Sequence, residues 1–209
     1  MPTPEIWGPA VWTLFHTLAE KIHEEAFVFP KVKQSLFATI VSICKYLPCP
    51  ECSTDASRIM SAVKPAEYAN KTAFKNMLYL FHNRVNAKKR KRLFNYAFMR
   101  KYESANIPQV IFTFIQTYNT RGNMKLLAES FQRKFVVQNF VSWFRTHAGL
   151  FRERPVVALF SSVAAAEADI TADIVENTVN NDADARDVTA DVVDAIADIT
   201  ADNVINAID

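Results

Sequence analysis

Leu47-Pro48-Cys49-Pro50-Glu51-Cys52 holds two of the chain's three cysteines, boxed by prolines where one apolar run ends and another begins. Two thiols at this spacing can close a small disulfide ring, or they can supply half of a tetrahedral metal site. The prolines stop one helix and admit the start of another, so the hexapeptide also reads as a junction between helices. Working outward from it, every flanking segment carries helical periodicity. Upstream, Pro30 opens a helix with Val32, Leu36, Phe37, Ile40, Val41 and Cys44 on one stripe. Before that, Val11, Leu14, Phe15, Leu18, Ala19 and Ile22 form another stripe between Ile6 and Phe27. Downstream, a third helix is expected from the cysteine pair to Val63, and a fourth over about Asn70–Ala87 with Phe74, Met77, Leu78, Phe81 and Val85 facing inward. A short apolar helix through Leu93, Phe94, Ala97 and Phe98 follows, and two more stretches, Val110–Tyr118 and Met124–His147, are split by Arg121-Gly122-Asn123. Nothing alternates with period two for long enough to make a sheet. The expected class is all-α.

At 209 residues and 50% hydrophobic, the chain is long enough to bury a core of its own, as one domain or one domain with an appendage. Sixteen Phe against three Gly fit helices packed through large side chains. No stretch approaches the ~18–20 uninterrupted apolar residues of a membrane span, and the N-terminus has neither a basic nor an apolar signal region. The expectation is therefore no membrane association and a cytoplasmic protein, or a virion component if the source is viral. Residues 1–160 carry 23 Lys and Arg against 10 Asp and Glu, whereas residues 161–209 carry one Arg against 12 acidic residues. The charge break sets an acidic low-complexity tail at 163–209 apart from the basic body before it. In the tail, Ile170-Thr-Ala-Asp recurs as Val188-Thr-Ala-Asp and Ile199-Thr-Ala-Asp. Such a segment reads as partly disordered or conditionally helical.

Three groups of residues bear on chemistry. If Cys52 lies in the first turn of the third helix, the unpaired amides there favour a thiolate, and Lys45 and Arg58 are near in sequence. Cys44, Cys49, Cys52 and His82 are also of suitable type for zinc, although Cys44 lies on an inner stripe where a free cysteine commonly serves as a small hydrophobe. His82, Asn83 and Asn86 can line one face late in the fourth helix, with donors and acceptors suited to a polar ring-shaped ligand. Trp12 and His16, four apart, share one face of the first helix. The basic run Lys88–Arg92 supports a different reading, a nucleic-acid-binding or scaffold protein with a structural or zinc-binding cysteine pair.

Taken in order, Gly8, Trp12-x-x-x-His16, Leu-Pro-Cys49-Pro-Glu-Cys52 and His82-Asn-Arg-Val85-Asn86 resemble the signature of the Erv/ALR family of FAD-linked sulfhydryl oxidases. The family signature combines a W-x-x-x-H helix, a Y-P-C-x-x-C active site and an H-N-x-V-N helix. The resemblance covers about residues 4–95 and implies an FAD-binding domain at 1–100, followed by a further helical region at 101–162. It implies a four-helix bundle with a short fifth helix that holds FAD, here followed by additional C-terminal helices. Carried over, Cys49 and Cys52 are the catalytic pair. Gly8, Trp12, His16, Cys52, His82, Asn83, Val85 and Asn86 would contact FAD, with Lys88 or Lys89 near its phosphates and no metal. Cys49 would meet substrate and Cys52 the flavin. Electrons would pass from protein dithiols, or from a small redox partner protein, to dioxygen, giving hydrogen peroxide. The resemblance also implies a homodimer, and nucleic acid would not be a partner. Pro9 stands where the family often has Arg after the glycine, and no cysteine follows Cys52 to clip the fifth helix. This cysteine-poor core looks similar to the versions encoded by large DNA viruses.

Overall fold

The structure is a computed structural model that describes residues 3–118 and 127–151. Among the described residues there are α-helices and short 3-10 segments, and no strand: α1 (Pro4–Lys21), α2 (Pro30–Lys45), α3 (Pro50–Met60), α4 (Lys71–Lys88), α5 (Ile107–Tyr118) and α6 (Leu127–His147). The all-α expectation holds. None of these helices is long and apolar enough to cross a membrane. The acidic repeats of 163–209 and the break at Arg121-Gly122-Asn123 lie outside the described residues.

Proline places the starts of three helices. Pro4, Pro30 and Pro50 sit in the first turn, where a missing amide costs nothing. The fourth is started by Asn70, whose side chain accepts from Ala73 N at 2.8 Å. The apolar stripes then meet inside. Leu14, Phe15, Leu18, Leu36, Ile40, Phe74 and Leu78 are fully buried, with α1 packed against α4 and α5, and α2 against α3. Several boundaries differ from the sequence expectation: α1 ends at Lys21 instead of running on towards Phe27, with a separate 3-10 segment at Glu24–Val28, and α5 begins at Ile107 rather than Val110. Helix α3 ends at Met60 rather than Val63, because Ser61 and Ala62 close a turn on the carbonyls of Ser57 and Ile59. The short element after the basic run begins only at Tyr96 and is a 3-10 helix to Tyr102, because Leu93 and Phe94 are drawn out into a non-helical return segment.

Helix α5 carries Ile107, Ile111, Phe114, Ile115 and Tyr118 on its buried face. The Tyr118 side chain is fully enclosed, and its hydroxyl donates to the carbonyl of Ile43 at 3.0 Å. That carbonyl belongs to the last turn of α2, just ahead of the proline-boxed cysteines, so α5 helps fix the end of the helix that presents them. Burial raises the Tyr118 phenol well above its ordinary range, so it stays a donor.

The described residues form two compact units, one up to Asn139 and one from Phe140. In the second, Phe140, Phe144, Leu150 and Phe151 are buried and Trp143 stacks on His147 at 4.8 Å. In the first, Phe131 and Phe135 of α6 stay exposed.

Replacing Tyr118 with Phe removes one buried hydrogen bond while keeping the ring. Urea denaturation of Tyr118→Phe is expected to show a loss of about 1 kcal/mol, and an unchanged midpoint would mean the bond contributes nothing.

Candidate functional site

The site is built at the N-terminal end of α1, where α1, α3, α4 and the return segment after α4 come together around a cavity of about 620 Å³. That volume lies in the range of small-molecule and cofactor pockets. Its wall includes Gly8, Trp12, Cys52, His82, Val85, Asn86, Lys88 and Lys89. His16 and Asn83, the other two expected FAD contacts, do not line it; His16 is fully buried and Asn83 half-buried.

The return segment explains the two asparagines. Past α4, Arg90 adopts φ 53° in the left-handed region, with Arg90 N bonded to Ala87 O at 3.1 Å and Lys91 N to Asn86 O at 2.8 Å. This is the paired-bond helix terminus that usually has glycine at the left-handed position. The chain therefore doubles back along α4. Asn83 grips it at Phe94, accepting from the backbone N at 2.7 Å and donating to the O at 3.0 Å. Asn86 donates to the carbonyl of Arg92 at 3.3 Å.

Phe94, so held, stacks on His82 at 4.8 Å and 17°, and the other face of His82 lies on Trp12 at 4.1 Å and 7°. His82 is thus the middle layer of a three-ring slab. Beneath it His16 is fully buried, with its Nε2 2.9 Å from His82 Nδ1. Burial is the main reason both imidazoles resist protonation. It pushes the His16 pKa down to about 3, helped by His82 and Lys101, and the His82 pKa to about 4, helped by Lys101. Both rings are neutral at ordinary pH.

Cys49 and Cys52 are disulfide-bonded with Cα atoms 5.2 Å apart. Cys49 is the N-cap of α3, in extended conformation, and its sulfur accepts from the backbone N of Cys52 at 3.3 Å. The helix amide thus points at Cys49, not at Cys52 as the sequence suggested. Cys52 lines the cavity and Cys49 does not. The Ser53 hydroxyl ties the first turn of α3 back to the Lys45 carbonyl. Neither nearby cation is placed beside the sulfurs by a described contact. Lys45 lies over the ring of Tyr46 at 5.3 Å, and Arg58 pairs with Asp55 at 3.8 Å. Cys44 is a buried free thiol, pushed well above its usual range by burial, and its neighbourhood is part of the same wall. Among the described residues no three His, Cys, Asp or Glu side chains are grouped as a metal site requires.

The basic run forms one rim. Lys88 pairs with Asp55, Lys89 with Glu51 at 3.8 Å and Lys91 with Glu5 at 3.3 Å. The Lys88 hydrogen bond holds the Asp55 carboxyl below its usual range.

Several wall residues escaped the sequence reading. Trp7 is buried with its Nε1–H unpartnered among the described residues, while Phe94, Lys101 and Tyr102 arrive only through the return segment. Asn83 and Asn86 were the available signal for that segment, since amides on a helix face need partners that the helix cannot supply. Gly8 has a further reading. A Cβ built there meets no atom within 4 Å, so the wall has an opening where a ligand can approach the α1 backbone. A glycine in a helix costs about 1 kcal/mol relative to alanine, which makes that opening a feature to explain. Planar aromatic layers, an unpartnered buried donor, a backbone opening and a lysine rim together fit a flavin nucleotide, whose rings stack and whose pyrophosphate is anionic.

Because the folded pKa values of His16 and His82 lie below the unfolded value of about 6.5, the unfolded chain binds the extra protons. Their contribution to stability is complete above about pH 6.5 and declines as pH falls towards about 4 and then 3. Urea midpoints measured across this window should fall with pH, and less steeply in His82→Phe. Equal slopes for the two proteins would contradict the assignment.

Residues 9–105 match the family model of the Erv1 / Alr family, whose members are FAD-linked sulfhydryl oxidases. No curated protein and no solved structure matches the chain. The matched segment begins at Pro9 in α1 and ends beyond Tyr102, so it takes in the disulfide, the ring slab and the return segment. Over that span the chain is similar to the Erv1 / Alr family.

Proposed function

We propose that the chain is an FAD-dependent thiol oxidase that makes disulfide bonds in protein substrates and reduces dioxygen to hydrogen peroxide. The observation that carries this reading is that one sulfur of a helix-terminal disulfide, Cys52, lines the same cavity as the Trp12–His82–Phe94 slab. Bound FAD would supply the two-electron acceptor for the reduced pair and the onward route to dioxygen. Trp7, Trp12, His82 and Val85 would hold its ring systems, and Lys88 and Lys89 its phosphates.

The protein's own part is thiol exchange. A substrate thiolate attacks the sulfur of Cys49; the Cys49–Cys52 bond breaks and its electron pair leaves on Cys52, the sulfur facing the cavity. A second substrate thiolate then attacks the substrate sulfur of the mixed disulfide and expels Cys49 as a thiolate. The Cys52 backbone amide, 3.3 Å from the Cys49 sulfur, is placed to stabilise that leaving group. Substrate leaves oxidised, and the dithiol left behind holds the two electrons. The donors are substrate dithiols themselves or a separate small redox protein. The cysteine-poor core resembles versions carried by large DNA viruses.

Oxygen consumption with dithiothreitol as donor tests the reading. The purified chain should consume oxygen and release peroxide, and both Cys49→Ser and Cys52→Ser should abolish turnover while remaining folded. Full activity in either variant would overturn the assignment of the pair.

A further inference from the structure

We propose that His16 is a positioning residue: its Nε2–H donates to His82 Nδ1, which fixes His82 as the Nε2–H tautomer and makes it a neutral donor to a ring acceptor of the bound flavin nucleotide. The ligand in this statement rests on the function proposed above; the proton placement does not.

The two nitrogens are 2.9 Å apart and share one proton, since a neutral imidazole carries a single N–H. Two arrangements are possible. In one, His82 donates from Nδ1, and the proton of His16 must then sit on its own Nδ1. That atom is buried and has no partner among the described residues, so an N–H there would be an orphaned donor, which costs about 1–3 kcal/mol and is rare in folded proteins. In the other, His16 donates from Nε2 and only a lone pair is left on the buried Nδ1, while the proton of His82 moves to Nε2. His82 Nε2 has no hydrogen bond among the described residues, is not among the buried unpartnered atoms, and belongs to a residue that lines the cavity. There it can reach a ligand or water. The second arrangement leaves no buried donor unsatisfied, and it is the one the geometry selects.

Direction matters as much as protonation. Trp12 at 4.1 Å and Phe94 at 4.8 Å clamp the two faces of His82, so the ring cannot swing out of its plane. The Nε2–H therefore keeps a fixed direction on a residue that lines the cavity. A donor without charge recognises a lone pair on a planar heteroaromatic ring, a ring nitrogen or a carbonyl oxygen, and gives no advantage to an anion. It divides the labour with the lysine rim, whose charge suits phosphate. His16, by contrast, touches no ligand and acts only through its neighbour.

The direct test is a long-range proton–nitrogen spectrum of the purified, ¹⁵N-labelled full chain, with the His82 signals identified through His82→Phe. The expected pattern is a protonated Nε2 and a lone-pair Nδ1 on His82. In His16→Leu, the His82 signals should move towards an average of the two tautomers, and binding of added FAD should weaken by about tenfold. In His16→Gln, whose amide can donate from nearly the same place, both should return towards the wild-type values. A protonated Nδ1 on His82 in the wild-type chain would overturn the proposal even if His16→Leu failed to fold. So would a His16→Leu protein with unchanged His82 signals and unchanged affinity. If the wild-type chain showed the expected tautomer but bound no FAD, the function proposed above would fail and the proton placement would stand.

Discussion

His82 is the ring on which the rest of the site depends. Its two faces are covered by Trp12 from α1 and Phe94 from the return segment, and one edge is bonded to His16. A polar ring in such a position must be both stacked and hydrogen-bonded, or its burial costs more than it returns. Meeting that condition brings three separate parts of the chain into register. Helix α1 must present Trp12 and His16 on one face, α4 must end where His82 reaches them, and the chain must turn back to place Phe94. The left-handed Arg90 and the two asparagine clamps are what this last requirement looks like in the backbone.

The disulfide is held by a different set of constraints. Proline-started α3 gives Cys49 the N-cap and Cys52 the first turn, and Tyr118 and Ser53 fasten the end of α2 from which the pair projects. The two sulfurs consequently meet different surroundings from the same short loop. Cys52 faces the cavity, and Cys49 receives the helix amide. An asymmetric pair suits a relay, because one sulfur can exchange with substrate while its partner stays beside the acceptor. The match of residues 9–105 to the Erv1 / Alr family falls on this arrangement.

The helices, the core and the motif positions were readable because periodicity and proline placement are local signals. Leu14, Leu18, Leu36 and Phe74 declare themselves by spacing alone, and the structure buries all four. The return segment was not readable in the same way. Leu93, Phe94, Ala97 and Phe98 look like a helical stripe, yet tertiary bonds from Asn83 pull Phe94 out of any helix. Within the site, sequence could place Trp12, His16 and His82 on shared faces, but not say that His16 is fully buried and does not line the cavity while Trp7 does. Depth within a bundle is set by packing between helices, and a single helix's pattern does not contain it. The direction of the Cys52 amide is likewise a matter of three-dimensional cap geometry.

Everything proposed for the pair requires the cavity around His82 and Cys52 to be a flavin site serving the disulfide. The visible spectrum of the purified chain tests it most directly. The expected result is a yellow protein that carries FAD in a one-to-one ratio and releases it on denaturation, with the flavin bleached by dithiothreitol under anaerobic conditions. A folded, colourless chain that takes up no added FAD would contradict it.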